Sequence, residues 1–266
     1  MNLSKKHILL TGATGGLGVC IALKLAEKNV VLALVGRDTH KLHLLQKQLA
    51  SLGCNSHCIV ADLSEQGASQ KIVDAAKRAL GHIDILINNA GVLDFIELQN
   101  QSEARIAEMI NTNVTSLILA TRALLPDLLN QNQGYLLFVG SVFGSLAFPH
   151  YATYCASKFA VHGFSQALRR ELVNTNIGVT YIAPRGIKTP MNDANTSAML
   201  KKSGTVLDSP EKVASIIVNA LEQERQEVFI GQPESTFAWL NGIFPRLINL
   251  GLKKQTALAL AFLKSK

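Results

Sequence analysis

The stretch Thr11-Gly12-Ala13-Thr14-Gly15-Gly16-Leu17-Gly18 limits the fold of this chain more than any other. It follows a short apolar run, His7 to Leu10, and opens a helical pattern through Lys28. Val30 to Val35 is then continuously apolar, as a parallel strand covered on both faces should be. Strand, glycine-rich turn, helix, strand reads as a βαβ unit whose turn aims backbone N–H groups at an anion. Gly12 permits the turn, Gly16 lets a pyrophosphate approach the main chain, and Gly18 lets helix and sheet pack closely. Such a turn is weak evidence alone and strong evidence between a strand and a helix.

Elements keep alternating after that unit. Asp38 to Leu52 puts Leu42, Leu45 and Leu49 on one helical face. Cys54 to Val60 reads as a strand ending at Ala61-Asp62-Leu63, and Ser64 as the cap of a helix reaching Leu80. Ile83 to Ile87 is a fourth strand, closed by Asn88-Asn89-Ala90-Gly91. Glu103 to Leu129 is a long helix carrying Asn111 and Asn113, and Tyr135 to Val139 is a fifth strand. The helix through Tyr154 runs to about Asn174, followed by a strand from Val179 to Ile182. A helix opened by Ser209-Pro210-Glu211 and a short strand, Val228 to Ile230, complete the pattern. The expected fold is α/β, a single doubly wound parallel sheet (Rossmann fold) of about seven strands with helices on both faces. Residues 1–233 are assigned to that domain and 234–266 to a C-terminal amphipathic helical extension packed on it.

The end of the second strand bears on the dinucleotide. A carboxylate there would bind a ribose 2′-hydroxyl, but Val35 is followed by Gly36-Arg37. Arg37 can stack on adenine and pair with a 2′-phosphate, so NADP(H) is expected over NAD(H). The alternative is an ordinary surface arginine, and Asp38 dilutes the local positive charge.

Residues 134–163 carry the candidate chemistry. Tyr154 and Lys158 are four apart and share one helical face, and the Gly/Pro-marked loop after Val139 can bring Ser141 opposite them. A phenol, an ammonium and a hydroxyl suit proton transfer to a carbonyl oxygen. The cation is expected to lower the phenol from its usual pKa of about 10, and the serine to donate where negative charge develops.

At 266 residues, 48% of them hydrophobic, the chain can bury one large core. No apolar run is long enough for a transmembrane span, and His7 to Leu10 is too short for a signal peptide. The four cysteines lack metal-site spacing and no metal site is expected, so free thiols in a reducing cytoplasm are. A formal charge of +7 points to anionic partners: a phosphate-bearing cofactor, an acidic carrier or an anionic membrane surface. No tight basic cluster with interleaved aromatics suggests nucleic acid.

Two segments remain open. Pro190 to Gly204, with Met191 and Met199, reads as a lid or as a plain connection. In the tail, Phe237, Leu240, Phe244, Leu247 and Ile248 recur at helical spacing beside Trp239 and Ile243, Pro245 divides the pattern, and Leu258 to Leu263 is a second apolar run. These helices suit a core or subunit cover, a flap over an apolar substrate, or an interfacial helix on anionic lipid.

With these pieces together, the chain resembles the short-chain dehydrogenases/reductases from His7 to about Gly231. The resemblance rests on Thr11-Gly12-x-x-x-Gly16-x-Gly18, Asp62-Leu63, Asn88-Asn89-Ala90-Gly91, Asn113, Ser141, Tyr154-x-x-x-Lys158 and Pro184 to Thr189. It implies that Tyr154 is the general acid/base, that Lys158 lowers its pKa and binds the nicotinamide ribose, and that Ser141 orients the substrate carbonyl. It further implies that Asn113 holds a relay water, that Asp62 and Leu63 border adenine, and that Asn89, with Ala90 and Gly91, lies by the adenosine ribose. Ile187 and Thr189 would bind the carboxamide. Two departures stand out. Arg185 follows Pro184 where the family usually has glycine, either to meet an anionic substrate or to point to solvent; and Gly15 stands where many NADP-using members have a basic residue.

The function so implied is NADP(H)-dependent hydride transfer on a small apolar carbonyl or alcohol, free or carrier-bound (3-oxoacyl, lipid aldehyde, ketone or steroid-like), by a cytoplasmic or membrane-peripheral homodimer or homotetramer. The alternatives are a dinucleotide sensor and a membrane-surface scaffold, both without turnover.

Overall fold

The computed structural model describes residues 1–191, 196 and 206–264. Seven parallel strands form one sheet in the order β3-β2-β1-β4-β5-β6-β7. They are β1 (His7–Leu10), β2 (Val31–Gly36), β3 (Asn55–Val60), β4 (Ile85–Asn88), β5 (Gly134–Val139), β6 (Ile177–Pro184) and β7 (Glu227–Ile230). The doubly wound sheet expected from the alternation is therefore present.

Burial on both faces explains the apolar strands. In β1 Ile8 and Leu10 point to one face and Leu9 to the other, and all three are fully buried. On the first face lie α1 (Gly16–Ala26), α2 (Thr39–Ser51) and α7 (Pro210–Glu222), through Ile21, Leu42 and Ile217 among others. On the second lie α3 (Ala68–Leu80), α5 (Ser116–Gln131) and α6 (Ala152–Glu171), through Ile72, Leu124 and Val161. Asp38 caps α2 by accepting from Lys41 N–H at 3.0 Å, and Ser209 caps α7 by accepting from Lys212 N–H at 3.2 Å.

Two local expectations need correction. Ser64 does not cap α3: its hydroxyl and N–H donate to Asp62 Oδ1 at 2.7 and 2.9 Å. The helix starts after Gly67, at φ +77°, because the Asp62 side chain competes for the local donors. The long helix expected from Glu103 is α4 (Glu103–Ile110) joined to α5 by a widened π turn, Asn111–Thr115.

The tail forms α8 (Glu234–Asn241) and α9 (Pro245–Lys264). Pro245 divides them as expected, at a first helical turn where it costs no hydrogen bond. The run from Leu258 is a continuation of α9 rather than a separate helix. Its Ala259 and Phe262 pack with Phe95, Tyr151 and Tyr154. Most of the candidate lid, including Met199, lies outside the described residues. None of the described helices is long and apolar enough to cross a membrane.

Candidate active site

The candidate residues collect at the C-terminal ends of the strands. Gly12 has φ +63°, and a Cβ there would lie 2.7 Å from Ala90 Cα, while one at Gly18 would collide with the Gly12 carbonyl. Gly15 occupies the cap of α1 and offers no side chain to it. As at any helix start, the N–H groups of Gly16, Leu17 and Gly18 have no partner within the helix, and the cap residue supplies none by a side chain. Thr14 packs against Gly36, and Thr189 lies over Gly16, where a Cβ would approach it to 2.9 Å.

Thr11 and Asn89 fasten this turn to β4. Thr11 Oγ1 accepts from the N–H groups of Asn89 and Ala90 at 3.0 and 3.1 Å, and Asn89 Nδ2 donates to the Thr11 and Gly12 carbonyls, each at 3.1 Å. The amide nitrogen of Asn89 is thus spent on the turn.

Gly36, Arg37, Asp62, Leu63, Ala90 and Gly91 border one cleft beyond the turn. Burial pushes the Asp62 carboxyl up, but the Ser64 donors and the Arg37 guanidinium outweigh it and the net direction is down. Arg37, 60% exposed, stands 3.6 Å from both Asp62 and Glu108. Glu108 was not foreseen: it comes from α4, and only the fold brings it there. A larger hollow between Gln46 and Ser56 is remote from all these groups.

Ser141 leaves β5 in extended conformation, and its Oγ accepts from Phe143 N–H at 3.1 Å. Its main chain is gripped by Tyr181 of β6, whose hydroxyl donates to the Ser141 carbonyl at 3.1 Å and accepts from its N–H at 3.4 Å. Gly140 and Gly144 make room for that phenol. A Cβ at Gly140 would collide with the ring, and one at Gly144 would lie 2.5 Å from the hydroxyl. His162 stacks on the far side of Tyr181 at 4.3 Å. Sequence reasoning missed Tyr181, and the glycines flanking Ser141 were the available signal.

Tyr154 and Lys158 lie one turn apart on α6. Lys158 Nζ donates to the Val139 carbonyl at 3.1 Å and stands 5.7 Å from the centre of the Tyr154 ring. The expected lowering of the phenol is not what the protein by itself provides. Burial pushes Tyr154 up to about 12, with the Ser141 hydroxyl opposing, and pushes Lys158 down to about 8. Both groups share one buried environment, where burial disfavours whichever form carries charge. The Tyr154 ring keeps some exposed surface, but its titrating end is the enclosed one.

Asn113 is fully buried in the π turn. Its Oδ1 accepts from Val92 N–H at 2.8 Å, and its Nδ2 donates to the Val92 carbonyl at 2.8 Å and to Ser157 Oγ at 3.0 Å. A Cβ on Gly91 would sit 3.3 Å from Asn113 Oδ1 and 3.7 Å from Lys158 Nζ, so the three residues meet at one point.

Arg185 does neither of the things the sequence left open. It is 9% exposed and forks onto Asp208, Nε to Oδ2 at 2.8 Å and Nη2 to Oδ1 at 3.2 Å. Nη1 donates to the Gln232 carbonyl at 2.7 Å and to Glu234 at 3.2 Å. Asp208 in turn pairs along the main chain with Gly186 and Lys188, flanking Ile187. One guanidinium thus ties the strand end at Pro184, the return at 208 and the start of the tail. Asp208→Ala would leave that charge buried and half-paired. Urea unfolding of the variant should show about 3 kcal/mol lost, and a loss below about 1 kcal/mol would remove the fastening role.

Phe95, Phe143, Phe148, Tyr151 and Tyr154 form an aromatic wall beside the candidate groups. His150 enters it in the left-handed region, φ +66°, with its ring edge-on to Phe95 at 5.8 Å. Among the described residues one group, His7, His82 and Asp84, brings metal-ligand side chains within 4.8 Å of one another. It lies at the opposite, N-terminal ends of β1 and β4, where Asp84 already accepts from Lys6 Nζ at 2.9 Å and His7 N–H at 2.8 Å.

This chain is similar to known proteins in sequence and fold. A putative oxidoreductase, SadH, from Mycobacterium tuberculosis is 30% identical, covering 94% of this chain and 96% of its own. A ketoacyl reductase, HetN, from a Nostoc species is 30% identical over 86% of this chain and 80% of its own. Among solved structures, a short-chain dehydrogenase/reductase from Burkholderia phymatum in complex with NAD superposes with a TM-score of 0.86 at 24% identity, covering 93% of this chain and 96% of that one. One from Burkholderia cenocepacia in complex with NADP gives 0.79 at 24% identity, over 88% and 100%. The short chain dehydrogenase family matches residues 6–200, so the chain belongs to the short-chain dehydrogenases/reductases.

Proposed function

We propose that the protein is an NADP(H)-dependent oxidoreductase acting on an apolar carbonyl or the corresponding alcohol, with Tyr154 as general acid/base. The observation that carries this reading is the meeting of Tyr154, Lys158 and Ser141 in a buried environment between an uncapped helix N-terminus and an aromatic wall.

The residues fit a dinucleotide. The N-terminus of α1 offers N–H groups without helical partners to a pyrophosphate, with no Cβ in the way at Gly15 or Gly16. Asp62, Leu63, Ala90 and Gly91 border a cleft that suits the adenosine half, and Thr189 lies against Gly16 of the glycine turn. Pro184, Ile187 and Thr189 are assigned to the nicotinamide end by the family resemblance. The bound cofactor would supply or accept the hydride.

The chain's own groups handle the proton and the oxygen. Ser141, braced by Tyr181, donates to the substrate oxygen, and Tyr154, held protonated by burial, gives it a proton in the reducing direction. Lys158 stabilises the phenolate left behind. The Asn113 side chain spends both Nδ2 hydrogens and one Oδ1 lone pair, so a relay from Lys158 would use a water held by the second Oδ1 lone pair. The aromatic wall excludes water and favours an apolar substrate.

Arg37 supports NADP(H) because its contacts with Asp62 and Glu108 are long and exposed, hence weak enough to be exchanged for a 2′-phosphate. Arg37→Ala should lower kcat/KM with NADPH by about 10- to 100-fold and leave NADH within about threefold. Initial rates of both cofactors against a carbonyl panel test this, and an NADH preference in the parent enzyme would refute the NADP assignment while leaving the mechanism intact.

A further inference from the structure

We propose that the corner between α8 and α9 docks on an anionic lipid bilayer and presents the mouth of the site to it. Trp239, Ile243, Phe244, Leu247 and Leu250 crowd this corner, and each is more than half exposed, Trp239 by 66%. Leu247 and Leu250, three apart, lie on one side of α9, and Ile243 and Phe244 stand in the turn just before it. Each would cost far less in the acyl boundary than in water.

Charge selects the occupant. Residues 235–266 contain five basic residues, Arg246, Lys253, Lys254, Lys264 and Lys266, and no acidic one. Arg246 and Lys253 are exposed beside the apolar corner. A second copy packed on the same face about a two-fold axis would bring these cations together with no carboxylate from this segment to pair them. Anionic headgroups above an acyl layer satisfy both the charges and the apolar side chains. A tryptophan beside them suits the headgroup depth.

The corner adjoins the site. Asn241, at the end of α8, donates to the Ser145 carbonyl at 2.9 Å, in the loop that carries Ser141. The far end of α9 lays Ala259 and Phe262 on the aromatic wall that includes Tyr154. A docked molecule would therefore meet apolar substrates where they dissolve.

Trp239 is the only tryptophan, which makes it a clean reporter. The full-length chain should be mixed with vesicles of phosphatidylcholine alone, or of equal parts phosphatidylcholine and phosphatidylglycerol. Docking predicts a blue shift and quenching by brominated acyl chains with the anionic vesicles only, weakened by salt. Phe244→Glu with Leu247→Glu should lower the partition constant about a hundredfold, roughly tenfold per lost side chain, with far-UV circular dichroism and activity on a water-soluble carbonyl unchanged. Unshifted, unquenched emission of the parent chain on anionic vesicles would overturn the proposal. So would a blue shift that follows protein concentration without lipid, since that places a second copy on the face.

Discussion

Tyr154→Phe should lower kcat at least about a thousandfold while leaving the dissociation constant for NADPH within about twofold. Only the hydroxyl is deleted. Lys158 keeps its bond to the Val139 carbonyl, the ring keeps its place in the aromatic wall, and the glycine turn at Gly15 to Gly18 is untouched. Removing a buried, high-pKa phenol should not harm folding either, and thermal melting should stay within a few degrees. Stopped-flow rates with cofactor fluorescence separate binding from turnover. Near-parent turnover in the variant would move the proton donor elsewhere, and a parallel loss of cofactor binding would make Tyr154 a structural residue.

Lys158→Met should show a divided outcome, with turnover lost and stability gained at neutral pH. The sign follows from linkage. Burial holds the folded-state pKa of Lys158 near 8, below its unfolded value of 10.5. Between those values the unfolded chain binds more protons, so stability rises with pH across that window. Below about pH 8 the folded protein carries a buried cation at full cost, and deprotonation relieves it as pH climbs towards 10.5. The relief is on the order of 3 kcal/mol at most, and the Val139 carbonyl left without a donor takes back about 1 kcal/mol. Tyr154 acts oppositely: its folded pKa near 12 lies above the usual 10, so stability falls from about pH 10 upwards. Urea midpoints of the parent and Lys158→Met between pH 6 and 10 isolate the lysine. The gap should close as pH rises, and a constant gap would refute the buried-charge account.

A sequence of this kind reveals some of its architecture directly. The strands from Val31 and Gly134 were visible because both faces of the sheet are covered, which makes them apolar at every position. The glycine turn was visible because Gly12 and Gly18 have no tolerable substitute where they stand. Residues whose partners are distant in sequence were not. Tyr181 looks like one more apolar strand residue until β6 is laid beside β5, when its hydroxyl meets the Ser141 main chain. Arg185 looks like a free charge until β7 turns back and supplies Gln232 and Glu234. The direction of the Tyr154 pKa was misread, and the lowering of the Lys158 pKa not foreseen, for a related reason. Spacing on a helix shows which groups are neighbours, but burial depends on the wall that Phe95, Phe143 and α9 build around them.

The fastening at Arg185 has a consequence for how such chains can diverge. Because one guanidinium holds Asp208 in the body and Glu234 at the root of the tail, a tail cannot be exchanged between relatives as a free cassette. A graft lacking a carboxylate at 234 leaves the buried guanidinium with Asp208 and the Gln232 carbonyl alone, and a glycine at 185 leaves the buried Asp208 carboxylate only the exposed Lys212. Positions 185, 208 and 234 should therefore be inherited as a set. Dissection of the tail by truncation would confound docking with folding, and single exchanges at its exposed corner are the cleaner cut.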